Sequence, residues 1–252
     1  MIIVLAGTQE GREIAALLQE AGYLLLASVT SEMGEQILRR QGIRNIRQGK
    51  LSREGLIQLI QEGQATMLVD ATHPFAQVIS LQAMEAAAQM GIPYVRLERA
   101  PYILPEDPLI ITIARLEELR PLISPGTKVF ATLGIKSLEV LAPLVREEKA
   151  NLVARVLPHS TALKVCEDLG LSPEQIVALK GPYSRELNRV LFREYRVGLV
   201  VTKESGEAGG LDAKIQAALD LELPIVVWRR PVMRYPVAFQ TTTELLKYIE
   251  NI

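Results

Sequence analysis

Residues 68–76, LVDATHPFA, gather an acid, a hydroxyl, an imidazole and a phenyl ring at the end of an apolar run. A strand that stops there delivers Asp70, Thr72, His73 and Phe75 at its carboxyl end, where open α/β sheets bind ligands. Such a set suits acid–base work by His73, a shelf for a cofactor, or an ordinary strand-to-helix turn. His73 and His159 are the only histidines, and neither has Cys or His neighbours at metal-ligand spacing, so no metal site is expected.

A second candidate is AGTQEGREIA, residues 6–15. Gly7 directly follows the first apolar run and Gly11 stands at the start of a helical pattern. Gly7 allows close backbone approach, Thr8 offers a hydroxyl, and a helix N-terminus favours an anion. The spacing is not the G-x-G-x-x-G dinucleotide fingerprint, so a bare turn explains it equally well. At the end of the second strand, Ser28 and Thr30 stand where a dinucleotide-binding sheet meets the adenosine ribose. No acid follows until Glu32, which leans towards a 2′-phosphate and hence NADP. Capping of the next helix is an equal alternative for both hydroxyls.

The third stretch is VVTKESGEAGGLDAKIQAA, residues 200–218. Thr202 and Lys203 end a strand, Gly206, Gly209 and Gly210 let the backbone wrap a ligand, and Lys214 lies on the following helix. Other predicted strands also end in bases: Arg96 and Arg99, Arg155, Arg229 and Arg230. Several at sheet edges in a chain of net charge −1 point to a polyanionic ligand. There is no G-x-S-x-G elbow, which argues against an α/β-hydrolase. TLGIKS, residues 132–137, is not a P-loop, because Ile135 separates the glycine from Lys136 and no upstream glycine has the right spacing.

The elements that must carry these residues alternate. IIVLA, LLLASV, NIRQG, MLVDA and YVRLE read as strands, and the segments between them have helical spacing and mostly close on Gly. ERAPYILPEDP, near residues 98–108, reads as a linker or mobile loop. Alternation resumes with IITIA, KVFATLG, NLVARVLP, IVALKG, GLVVTKES and IVVWRRP, and TELLKYIEN closes as a helix. The expected fold class is α/β, with two Rossmann-like parallel-sheet domains, 1–98 and 99–252, and a cleft between them at their strand ends.

Composition is 48% hydrophobic and 23% charged, ordinary for a soluble globular protein. The near-zero net charge excludes a global basic field for nucleic acid. No apolar run approaches the roughly 20 residues of a membrane helix. MIIVLAG reads as a first strand rather than a leader. One cysteine, Cys166, excludes an internal disulfide and reads as a buried small hydrophobe. A cytoplasmic location is expected.

Together these stretches resemble the precorrin-6A reductase family of cobalamin biosynthesis, which includes the cobalt-precorrin-6A reductases. The resemblance runs nearly end to end. It rests on G-T-x-E-G-R at 7–12, D-A-T-H-P-F-A at 70–76, R-x-E-R at 96–99, G-P-Y-S at 181–184, and T-K-E-S-G-E-A-G-G at 202–210 followed by Lys214 and R-R-P at 229–231. LGIKSL at 133–138 departs from it: Ile135 stands where the family pattern has arginine, leaving Lys136 as the substitute.

The resemblance implies two Rossmann-like domains that exchange their last strands, one holding NADPH and the other the tetrapyrrole. The implied reaction reduces a ring double bond of precorrin-6A, or its cobalt complex, to the 6B form, with hydride to one carbon and a proton to its neighbour. Cofactor contacts are expected from Gly7, Thr8, Gly11, Arg12, Ser28 and Thr30, and from the nicotinamide-side shelf of Asp70, Thr72, His73 and Phe75. Substrate contacts are expected from Arg99, Lys136, Arg155, Lys203, Lys214 and Arg229, and from the loop of Ser205, Gly206, Gly209 and Gly210. A macrocycle bearing many carboxylates accounts for such a set of bases. His73 is a candidate proton donor, with water or a substrate carboxyl as alternatives. Neighbouring pathway enzymes are implied partners. Rival readings are another NADP-dependent reductase and a non-catalytic nucleotide- or tetrapyrrole-binding protein.

Overall fold

Residues Ile2–Leu5 form β1 and are buried at every position, as expected of an apolar strand covered on both faces. Side chains alternate across it: Ile2 and Val4 join one apolar cluster, Ile3 and Leu5 another. The computed structural model describes residues 1–206 and 209–252 of the chain, which divides into two units, Met1–Ala100 with Pro231–Ile252, and Pro101–Arg230.

In the first unit, β2 (Leu25–Val29), β3 (Ile46–Gln48), β4 (Met67–Asp70) and β5 (Tyr94–Leu97) follow β1. The helices α1 (Gln9–Glu20), α2 (Glu32–Arg40), α3 (Arg53–Glu62) and α4 (Gln77–Met90) run between them. All pairings are parallel, and β12 (Ala238–Phe239) completes the sheet in the order β12-β5-β4-β1-β2-β3. Thr8, Ser31 and Ser52 cap α1, α2 and α3 by accepting the amides of Gly11, Gly34 and Gly55. On one face α1 buries Ile14 and Leu18, and α9 (Thr242–Glu250) buries Leu245 and Ile249. Each such side chain stabilises by about 1.5–3 kcal/mol.

The second unit repeats the plan. Its strands are β6 (Ile110–Ile113), β7 (Lys128–Thr132), β8 (Asn151–Val156), β9 (Ile176–Ala178), β10 (Leu199–Lys203) and β11 (Ile225–Trp228), in the order β6-β11-β10-β7-β8-β9. The helices are α5 (Ile135–Glu147), α6 (Ser160–Asp168), α7 (Arg185–Glu194) and α8 (Leu211–Leu219). Cys166 is fully buried in its core, where burial pushes the thiol pKa up.

Both orders are the doubly wound 3-2-1-4-5-6 pattern, except for the origin of the sixth strand. The strand after β5 in the chain, β6, pairs with β11; the strand after β11, β12, pairs with β5. The last strands are therefore exchanged. This corrects the 99–252 boundary, because Pro231–Ile252 belong to the first unit. The loop near 98–108 lacks regular structure, but Tyr102 and Leu104 pack on the second unit's core and Tyr102 OH donates to Asp212 Oδ1 at 2.7 Å. Among the described residues no helix is long and apolar enough to cross a membrane.

Candidate functional site

In each sheet the chain reverses winding direction between its two central strands, β1 and β4 in the first unit. Ligands bind outside the carboxyl ends at such a switch point. There, Thr8, Glu10, Thr72, Pro74, Arg96, Leu97 and Arg99 line a pocket.

The pocket is organised by Arg96, a cation only 1% exposed on β5. Register places it opposite Asp70 of β4. Its Nη1 donates to Asp70 Oδ1 at 2.8 Å and to Thr72 Oγ1 at 3.0 Å, its Nη2 to the Thr72 carbonyl at 2.9 Å, and its Nε to Glu98 Oε2 at 2.7 Å. Its guanidinium also lies 5.2 Å from the centre of the Tyr235 ring. Burial alone would lower its pKa; the carboxylates of Asp70 and Glu98 raise it above the ordinary arginine value. Asp70 Oδ1 also accepts the Thr72 amide at 2.9 Å, and Oδ2 accepts Tyr94 OH at 2.7 Å. Burial, then the Asp70 charge, pushes the Tyr94 phenol far up, so it stays a donor.

Asp70, expected as a cofactor contact, is engaged within the protein. It is fully buried, both oxygens are occupied, and it positions Thr72. Thr8 is engaged in the same way: its hydroxyl donates to the Ala71 carbonyl at 2.8 Å and accepts the Gly11 amide at 3.1 Å. It ties α1 to the end of β4 and offers the pocket its body. Gly11 is a packing residue, because a β-carbon there would lie 2.9 Å from Ala6 Cα and 3.1 Å from Ala71 Cβ. Gly7 differs: it is exposed, and a β-carbon would meet nothing within 4 Å. An open backbone edge directly before α1 fits an anionic dinucleotide.

Thr72 and His73 are half-buried beside this edge. His73 Nδ1 accepts the Phe75 amide at 3.2 Å, which makes Nε2 the protonated nitrogen of the neutral ring. The His73 and Phe75 rings lie 5.7 Å apart. Arg12 is half-buried on α1, with burial lowering its pKa and Glu10 opposing that shift.

At the β2 end, Ser28 is buried and Thr30 exposed, and Ser31, not either of them, caps α2. Ser28 is in register with Arg47 of β3. Arg47 Nη1 and Nη2 are held by the carbonyls of Gly49 (2.9 Å) and Lys50 (3.4 Å). Sequence reading missed this base beside the end of β2; the signal was the strand NIRQG, whose one base, Arg47, sits one strand over.

The expected substrate residues fall in both units. Arg99 lies in the first, paired with Glu10 at 2.5 Å. In the second, Arg229 lies 3.8 Å and Arg230 3.6 Å from the buried Glu204. Arg99 and Arg229 are thus already charge-compensated. Lys203 stacks 5.1 Å from the Trp228 ring centre, and burial, then Lys136, brings its pKa down to about 8. Lys136 is exposed in the first turn of α5. Arg155 and Lys214 are drawn into one cluster with Tyr183 and Asn188. Gly206 and Gly210 adopt left-handed φ of 69° and 64°, and a β-carbon on Gly209 would run into the half-buried Ser205 side chain. Glu207 and Ala208 of the expected loop lie outside the described residues.

A family model described as precorrin-6x reductase CbiJ/CobK matches residues 1–250. The cobalt-precorrin-6A reductase of Priestia megaterium is 34% identical over 252 residues, covering 100% of this chain and 98% of the relative. That of Methanocaldococcus jannaschii is 37% identical over 254 residues, with the same coverage of 100% and 98%. A solved structure of CobK precorrin-6A reductase matches in fold with a TM-score of 0.80 at 23% identity, covering 99% of this chain and 96% of that one.

Proposed function

The chain belongs to the precorrin-6x reductase CbiJ/CobK family, and from that membership we propose that it reduces a ring double bond of precorrin-6A, or of its cobalt complex, to the 6B form in cobalamin biosynthesis, with NADPH as reductant. The observation that carries the reading is the full-length match to reductases of this one substrate pair. As a reductase it draws on a nicotinamide cofactor, which supplies a hydride when bound. The working compartment in this reading is the cytoplasm.

The residues act by binding and orienting. Gly7 leaves the backbone edge open, and the amides at the start of α1 favour the pyrophosphate. Thr30 and Arg47 lie at the β2 and β3 ends, where a 2′-phosphate is read. Arg96 and Asp70 hold Thr72 rigid, so the shelf with His73 and Phe75 keeps its shape. Such a preorganised surface is what hydride transfer requires of a protein, and it needs no nucleophile. His73 Nε2–H is the protein's candidate for the proton that joins the neighbouring carbon. The second unit's bases take the carboxylates of the macrocycle.

The test is anaerobic incubation with precorrin-6A and cobalt-precorrin-6A side by side, following NADPH absorbance. Oxidation with one of them supports the reading. Tight binding of both without oxidation would indicate a carrier. Selectivity is tested separately by fluorescence titration. NADPH should bind more tightly than NADH, and Arg47→Ala should lower that ratio about tenfold, the worth of one charge-assisted contact. Equal affinities in the unaltered protein would remove the 2′-phosphate claim.

A further inference from the structure

Among the described residues, two cations of the second unit, Lys214 buried and Arg155 half-buried, have no carboxylate partner. Lys214, in the first turn of α8, is 4% exposed. Its Nζ donates to the Gly209 carbonyl at 3.1 Å. Arg155, near the end of β8, is half-buried, donates from Nη1 to Asn188 Oδ1 at 2.7 Å, and lies 5.3 Å from the Tyr183 ring centre. Among the described residues neither has an anionic partner. Arg96, Arg99, Arg229 and Arg230 in contrast all have one.

The frame around them is built. Asn188 Nδ2 donates to the carbonyls of Tyr183 (3.4 Å) and Ser184 (2.8 Å), which holds residues 181–184 against α7. Pro182 lies 3.1 Å from where a β-carbon on Gly210 would stand, so this segment closes on the start of α8. That helix has no side-chain cap; its first amide, of Leu211, donates to the Gly206 carbonyl at 3.3 Å.

We propose that Arg155 and Lys214 form an oxyanion socket in the second unit, which takes one carboxylate or phosphoryl group of a ligand. Like charges brought together out of water are unfavourable until an anion joins them. On the function proposed above, the oxyanion is one acetate or propionate carboxylate of the macrocycle. A dinucleotide phosphate has the same chemistry, and the test separates the two.

Burial, then the charge of Arg155, lowers the Lys214 pKa to about 7; burial lowers that of Arg155 to about 10. Among the described residues, the titratable groups that face Lys214 are Arg155 from β8 and, against Arg155, Tyr183 from the 181–184 segment. The α7 helix presents neutral Asn188, and Asp212 on α8 is bonded to Tyr102. The sign follows from the depressed value. Below pH about 7 Lys214 is charged in both the folded and unfolded chain, and the penalty on the fold is complete. As pH rises towards the unfolded value of about 10.4 the penalty disappears, so stability rises.

The experiment is thermal unfolding of the full chain in sodium sulfate against sodium chloride at matched ionic strength, for the unaltered protein, Lys214→Met and Arg155→Met. Below pH about 7, sulfate should raise the unaltered protein's Tm along a saturating curve that both variants lose. In chloride, Lys214→Met should melt above the unaltered protein, with the gap closing as pH rises. An unaltered sulfate response in both variants, or Lys214→Met melting lower at every pH, overturns the socket and leaves the reductase reading intact. Kinetics identify the source. A precorrin-6A KM raised about tenfold or more in Arg155→Met, with NADPH affinity within about twofold, assigns a macrocycle carboxylate. Weakened NADPH with an unchanged precorrin KM keeps the socket and overturns the assignment of ligands to units.

Discussion

Replacing Arg96 by Met should lower the unfolding free energy by about 3–5 kcal/mol, because it strands a buried carboxylate. The magnitude follows from the environment: Asp70 is fully buried, and Arg96 is the only charge bonded to it among the described residues. Tyr94 and the Thr72 amide remain as donors, but neither carries charge. The same substitution releases the Thr72 carbonyl and hydroxyl, so activity should fall even where the protein is folded. Arg96→Lys keeps the charge yet cannot make the four directed bonds, and should fall between. Pairing Arg96→Met with Asp70→Asn should recover much of the loss, since no buried charge is then left alone. Denaturant unfolding of the four proteins provides the check. A loss below about 1 kcal/mol in Arg96→Met would place the pair in the class of surface ion pairs and remove it as the organiser of the site.

Gly7→Val should leave stability nearly unchanged and weaken dinucleotide binding by about a hundredfold or more. Its β-carbon would enter open space, so the folded chain has no objection to it; a ligand at the backbone edge would. The loss of close approach removes several amide contacts to an anion, each worth about 1.5–3 kcal/mol. Gly11→Ala should behave in the opposite way. Its β-carbon meets the Ala6 backbone and Ala71, and overpacking there costs about 1–3 kcal/mol. Melting temperature and NADPH titration, measured on both variants, separate the two roles. A Gly7→Val protein that binds NADPH normally would show that the cofactor lies elsewhere.

Two parallel sheets are legible in the chain because fully buried strands read as continuous apolar runs, and IIVLA, MLVDA and GLVVTKES are such runs. The helices between them announce their ends through Gly22, Gly42, Gly91 and Gly170, all in left-handed conformation. What escapes is long-range pairing. The strand β12 is only Ala238–Phe239, too short for a pattern, so the return of the C-terminal segment is invisible to periodicity. Arg96 and Asp70 lie 26 residues apart, and only the β4–β5 register makes them opposite; from spacing alone both look like site residues. Thr8 and Gly11 serve the construction of the turn in which they sit. Lys214 is readable beside the glycine loop as a candidate anion contact, but its burial is not. The glycine turn and the β4 segment are thus readable as a candidate site, whereas the division between contact and support inside it depends on tertiary contacts.

The central claim is hydride delivery from a nicotinamide cofactor to a carbon of the precorrin-6A ring. The most direct measurement is single-turnover reduction with NADPH deuterated at the transferring position, followed by mass spectrometry and NMR of the tetrapyrrole product. The account predicts one deuterium at one ring carbon and one solvent-derived hydrogen at the adjacent carbon, with stoichiometric NADP formed. A product without cofactor-derived deuterium, or oxidation of NADPH with the ring unchanged, would contradict it.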